Sequence, residues 1–212
     1  MRKPAHVVEI FLQPGEMYFG DRDTRIRTVL GSCVAITMWH PELLIGGMCH
    51  YLLPTRGDSS ILELDGRYGD EAIQMLIREA IRNDSDPGRY HIKLFGGGDM
   101  FPGRAKDSKD YIGAKNIEKA RTLLKQFGFS HCAEHMGGTG HRNIFFDIWS
   151  GHVWVRHQPF PADGKPDGGS QLSGEYAADK ETTGFKSGCG MKAQPQAMRP
   201  ANRQQGKTLC PQ

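Results

Sequence analysis

Apolar and polar positions along the chain change period several times, and each change marks an element. Val7 to Leu12 alternates loosely until Pro14 and Gly15 stop it, which predicts a short first strand. Tyr18 and Phe19 continue the sheet after that turn, and Arg25 to Val29 supplies β-branched residues for a third strand. The stretch Leu30 to Pro54, LGSCVAITMWHPELLIGGMCHYLLP, then holds two apolar runs around a short polar turn. It reads as an antiparallel hairpin with strands Cys33 to Trp39 and Ile45 to Leu53 and a turn centred between Pro41 and Glu42. Without a bulge, that centre sets Cys33 directly opposite His50, Ala35 opposite Met48 and Thr37 opposite Gly46. Opposed residues project from one face with Cβ atoms roughly 5 Å apart.

Further along, the period lengthens. Asp70 is a candidate N-cap for a helix to about Arg82 that turns Ile73, Leu76, Ile77, Ala80 and Ile81 to one side. A short strand, His91 to Phe95, runs into Gly96, Gly97, Gly98, Asp99 and Met100. A second helix over roughly Asn116 to Gln126 places Ile117, Ala120, Leu123, Leu124 and Phe127 inward, and Gly128 ends it. Ser130 to Met136, Asn143 to Trp149 and His152 to Arg156 are closing strands. Strands, helix, strand, helix, strands: the order predicts an α/β domain of the α+β type, a layered sandwich of mixed, largely antiparallel sheet with two main helices.

From Gln158 the composition shifts to Pro, Gly, Gln and Lys with few large apolar residues, which predicts a flexible tail over 158–212 after a folded domain over 1–157. Of the 212 residues, 38% are hydrophobic and 24% charged, ordinary values for a globular protein, and the net charge is +3. The tail carries seven Lys and Arg against five Asp and Glu, a balance of +2, leaving +1 for the rest. Neither part has the concentrated basic patch of a nucleic-acid partner. No stretch approaches the roughly 20 apolar residues of a membrane span, and the N-terminus has no apolar segment long enough for secretion. Five cysteines (Cys33, Cys49, Cys132, Cys189, Cys210), an odd number, argue against a disulfide framework. The expected location is the cytoplasm.

Candidate chemistry concentrates in the hairpin. A cysteine opposite a histidine suggests a thiol beside its base, although cysteine is also a common buried hydrophobe and a core histidine can be satisfied by a carbonyl. Two details favour chemistry. Gly31 and Ser32 precede Cys33, so free N–H groups at the strand entrance could receive an oxyanion, and Gly46 with Gly47 removes bulk on the facing strand where a substrate could lie. Thr28, five positions before Cys33, could orient the histidine. The glycines at 96–98 lack the spacing of a dinucleotide or phosphate loop and are better suited to close approach by another segment or a peptide. His131, Cys132, His135 and His141 do not form a metal set, since Cys132 points to the opposite strand face from His131 and His135 and no paired CxxC accompanies them.

These residues together resemble a known family, the chemoreceptor glutamine deamidases called CheD. The resemblance covers most of the first 157 residues: LQPGE at 12–16, LGSCVA at 30–35, GGMCHYLLP at 46–54, KLFGGGDM at 93–100, IGAKN at 112–116 and GGTGHRNIFFDIWSG at 137–151. It implies hydrolysis of glutamine side-chain amides in the cytoplasmic domains of methyl-accepting chemotaxis receptors, with related esterase activity on methylated glutamates. It implies Cys33 as nucleophile, His50 as base and an upstream threonine as third member. The family threonine often lies six residues before the cysteine; here that position is Arg27, and its neighbour Thr28 is the candidate. The resemblance further implies that Gly97, Gly98 and Asp99 border the substrate groove, that no metal or organic cofactor is required, and that a CheC-type phosphatase is a possible partner. An alternative role is a non-catalytic receptor-binding regulator of chemotaxis signalling.

Overall fold

The structure is a computed structural model that describes residues 2–57, 63–101, 111–160 and 182–186. Ten strands and two long helices follow in the order β1 (Val8–Phe11), β2 (Met17–Gly20), β3 (Thr24–Leu30), β4 (Val34–His40), β5 (Ile45–Tyr51), α1 (Gly69–Arg82), β6 (His91–Gly96), α2 (Ile112–Gln126), β7 (His131–Met136), β8 (His141–Asp147), β9 (His152–Gln158) and β10 (Thr182–Phe185). One sheet has the order β1-β3-β8-β9-β10 and the other β2-β5-β4-β6-β7. Among the strands of the described residues, β1 with β3 and β6 with β7 pair in parallel and the other ladders are antiparallel. The fold is the expected α+β sandwich, with helices on one side.

Strand parity explains the layers. On β4, Val34, Ile36 and Met38 join Cys49 and Tyr51 of β5 in a core shared with Ala72, Ile73, Leu76 and Ala80 of α1 and Ala120, Leu123 and Leu124 of α2. The alternate residues Ala35, Trp39 and Met48 point the other way, into a second core with Ile26 and Leu30 of β3 and Ile144 and Phe146 of β8. The hairpin therefore has no polar face: all seven residues of β4 are buried. Continuous burial on both faces requires a nearly unbroken apolar run, as the sequence has.

Four local expectations are corrected. The hairpin ladder sets Ala35, not Cys33, opposite His50, and Val34 opposite Tyr51. The centre of the turn lies one residue later than it reads, and His40 closes the loop: its Nδ1 accepts from the N–H groups of Glu42 (3.3 Å) and Leu43 (3.2 Å). Leu44 then turns with φ 52°, and β5 begins at Ile45, where the apolar pattern places it. Second, Gly46 and Gly47 leave no space for a substrate. A Cβ on Gly46 would lie 2.4 Å from the Met38 carbonyl oxygen, and one on Gly47 2.7 Å from the Phe19 ring; both glycines serve close packing. Third, Asp70 lies in the first turn of α1, whose cap position is Tyr68. Fourth, α2 starts at Ile112, four residues earlier than its apolar pattern suggests, which places Asn116 inside the helix on its buried side.

The segment beyond His157 also contributes structure. Thr182–Phe185 adds to the edge of β9. Its Phe185 packs edge-on against Phe95 at 5.5 Å. The buried ammonium of Lys93 donates to the carbonyls of Gly151 (2.7 Å) and Phe185 (2.9 Å). Cys189 and Cys210 lie outside the described residues.

Candidate active site

The site forms where the β4 and β5 strands separate, on the face turned to the other sheet. Parity puts His50 on the same face as Met48, and Cys33 continues the row of Ala35; Cys33 packs against the inter-sheet core. With Ala35 opposite His50, Cys33 is the diagonal neighbour of the histidine. Diagonal residues on one face are separated by about 7–8 Å between backbones, within reach of longer side chains. The one-step error in turn centre moves the pairing by two residues, which preserves the face. For this reason the corrected register still leaves Cys33 and His50 on the same face.

Thr28 enters from the other sheet. It is inward on β3, between Ile26 and Leu30, whereas Arg27 points outward, paired with Glu9 at 2.8 Å and stacked over Phe11. The Thr28 hydroxyl donates to the Leu12 carbonyl at 2.9 Å and lies 2.7 Å from His50 Nδ1. A hydroxyl has one proton, and a carbonyl can only accept. The proton is committed to Leu12, so Thr28 accepts from Nδ1–H, and the neutral imidazole keeps its lone pair on Nε2. That Nε2 is buried and bonded to no described residue. The backbone of His50 is held as firmly, its N–H donating to the Glu16 carbonyl (3.0 Å) and its carbonyl accepting from Gly15 (2.7 Å). The turn at 12–16 is thus a cradle for the histidine.

Cys33 is held differently. Its carbonyl accepts from Gly97 N–H at 2.7 Å, the Gly31 carbonyl from Gly98 N–H at 2.8 Å, and the Ser32 carbonyl from the Asn116 side chain at 3.0 Å. A Cβ on Gly96 would sit 2.2 Å from the Cys33 carbonyl oxygen, so only glycine admits this approach. Asp99 closes the neighbouring turn: its N–H donates to Gly138 (2.7 Å) and its carboxylate accepts from Phe101 N–H (2.9 Å). Met100 lies over Gly31, where a Cβ would be 2.8 Å from its sulfur. Asn116 is a neighbour of Cys33 that the motifs do not single out; its signal is a polar residue in an otherwise apolar helix row.

Burial sets the protonation states. It pushes His50 down to about 4, against the Leu12 carbonyl and the Glu16 carboxylate, which favour the cation. It pushes the Cys33 thiol up, opposed by the residue's own N–H. Both groups are therefore neutral at pH 7. Cys49, in the helix-side core, is pushed up to about 12 by burial and is not a nucleophile. The remaining histidine cluster has separate partners: His131 contacts Glu134 (3.1 Å), the Cys132 thiol donates to the Ile92 carbonyl (3.3 Å), and His135 accepts from Arg142 (2.8 Å).

A family model described as CheD chemotactic sensory transduction matches residues 52–157. The chain belongs to the CheD family. It is similar to the probable chemoreceptor glutamine deamidase CheD of Pseudomonas syringae pv. tomato, 52% identical over 160 residues that cover 75% of this chain and 95% of the relative. The corresponding protein of Pseudomonas fluorescens is 50% identical over 161 residues, 75% of this chain and 90% of the relative. The probable chemoreceptor glutamine deamidase CheD 1 of Leptospira interrogans is 40% identical over 161 residues, 72% of this chain and 95% of the relative. The matched segment of the CheD model begins two residues after His50 and so does not include Cys33, His50 or Thr28. Among the described residues no helix is long and apolar enough to cross a membrane.

Proposed function

We propose that the protein is a protein-glutamine deamidase acting on the cytoplasmic domains of methyl-accepting chemotaxis receptors, with Cys33 as nucleophile. The observation that carries the reading is the chain from the Leu12 carbonyl through Thr28 to His50 Nδ1, which reserves a buried Nε2 lone pair on the strand face that Cys33 continues. The family relatives' name supplies the substrate class.

An amide is a weak electrophile, and a neutral thiol is a weak nucleophile. The resting pair is thiol and imidazole rather than a preformed ion pair, so proton transfer accompanies attack. His50 Nε2 takes the Sγ proton as sulfur bonds to the glutamine Cδ. The amide oxygen becomes an oxyanion, received by N–H groups at Ser32 and Cys33. The imidazolium returns its proton to the amide nitrogen, ammonia leaves, and a thioester remains. His50 then takes a proton from water, which attacks the thioester; glutamate departs and the thiol is restored. Gly97, Gly98 and Asp99 form a wall of the groove and not its donors, because their N–H groups are already engaged. The reaction needs no cofactor.

The test is incubation with receptor cytoplasmic domains while following ammonia and the roughly 1 Da gain per converted glutamine. Conversion is expected with the wild type and absent with Cys33→Ala. Equal conversion by the variant would overturn the mechanism. A Cys33→Ala chain that fully restores chemotaxis in a deletion strain would instead favour a binding regulator.

A further inference from the structure

We infer that Asn116 is a positioning residue that sets the distance between Cys33 and His50. The inference deepens the proposed function and rests on it for the identity of the reacting pair.

The β4 to β5 ladder ends at Val34 with Tyr51. Beyond it the two chains fork. One prong, Leu52 and Leu53, turns away to give both N–H groups to the Arg67 carbonyl at 3.0 Å each. The other, Gly31 to Cys33, turns towards the glycines at 96–98, which hold the carbonyls on either side of Ser32. Asn116 stands in the fork. Its Nδ2 donates to Ser32 O at 3.0 Å on one prong and to Leu52 O at 2.8 Å on the other.

A carboxamide is planar, with two N–H bonds at a fixed angle, so two carbonyls bound to one nitrogen have their separation set by it. Ser32 immediately precedes the nucleophile and Leu52 lies two residues after the base. The width of the fork is therefore the spacing of the catalytic pair, at the place where no ladder bond holds it.

The cost of this arrangement argues for its purpose. Asn116 is fully buried in a row otherwise formed by Gly113, Ala120, Leu123 and Leu124, and its Oδ1 is bonded to no described residue. A buried unpaired acceptor is destabilising, and an apolar residue would fill the row without that penalty. The helix keeps the amide where its two donors reach both prongs.

The experiment compares Asn116→Ala and Asn116→Ser, the second retaining one donor, with Leu123→Val, a core change in the same helix that leaves the fork untouched. Three readouts are taken: kcat and KM for receptor deamidation, the rate of Cys33 alkylation by iodoacetamide at pH 8 by site-resolved mass spectrometry, and the thermal midpoint. Asn116→Ala is expected to lower kcat about tenfold with KM within twofold, the loss of roughly one hydrogen bond's worth of alignment. Its Cys33 alkylation should rise at least threefold as the prong loosens, and Asn116→Ser should fall between it and the wild type. Leu123→Val should alter neither kcat nor alkylation beyond twofold. The inference is overturned if Asn116→Ala matches Leu123→Val in both readouts, if only KM changes, or if neither Asn116 variant folds, which would assign the residue to the fold alone. Alkylation needs no receptor, so it decides the role of Asn116 even if deamidation is not found.

Discussion

The two halves of the site are held by opposite means. His50 lies within β5, with its backbone in a ladder, and its ring is fixed by a side-chain partner from the facing sheet. Cys33 lies just outside β4, and the bonds around it fall on backbone carbonyls, each reached from a segment distant in sequence. The proposed base must present one nitrogen in one tautomer, and the control falls on the ring. The proposed nucleophile must approach carbon along one line, and the control falls on the chain that carries it. The comparison teaches that the base half can be damaged by single side-chain deletions, while the nucleophile half is sensitive to whatever moves a backbone.

The largest effect that would sharpen this contrast is His50→Gln, which keeps a polar group of similar size but removes the base. A fall in kcat of about 10² to 10⁴ is expected, with Cys33 still present and alkylatable; activity within tenfold of wild type would break the assignment of the base. Next comes pH. The imidazole is depressed from 6.5 to about 4 in the folded chain, so the unfolded chain binds the extra proton first as pH falls. The stability that depends on a neutral His50 is complete above pH 6.5 and is lost progressively down to pH 4. Denaturant melts should show the wild type losing roughly 3 kcal/mol more than His50→Gln across that window. Equal losses would show that burial of the ring does not control its charge.

A smaller effect is expected for Thr28→Val, which preserves shape but frees the tautomer: kcat about tenfold lower, with Thr28→Ser close to wild type. The smallest is Arg27→Ala. This residue holds only a partly exposed pair with Glu9, and both activity and stability should stay within about 1 kcal/mol of wild type. If Arg27→Ala cost more activity than Thr28→Val, the facing of β3 would be wrong.

Much of this was readable from the chain because parity survives small errors. Alternation in β3, β4 and β5 assigns each residue to a face, and the two-residue slip in the hairpin leaves Cys33 and His50 on theirs. The slip itself was not readable, since it depends on His40 turning its ring to accept two loop N–H groups. The purpose of Gly46 and Gly47 was equally hidden: empty space in a sequence can be filled by a neighbouring backbone. Asn116 was masked because the apolar period of α2 starts with Ile117, although the helical backbone begins at Ile112. Thr28 shows the reverse case. Its distance from Cys33 in sequence does not fit the family spacing, but its inward position on β3 brings it to His50.

The strand at Thr182–Phe185 sets a practical boundary that similarity does not. The matched family segment stops at residue 157, yet the Lys93 ammonium spends one of its bonds on the Phe185 carbonyl. A polypeptide cut after His157 would leave that ammonium with one fewer acceptor in the interior, and would leave the edge of β9 open to pairing with another molecule. Preparations trimmed to the matched segment should be judged for self-association as well as activity, because the residues that finish the sheet lie outside the segment that the family model matches.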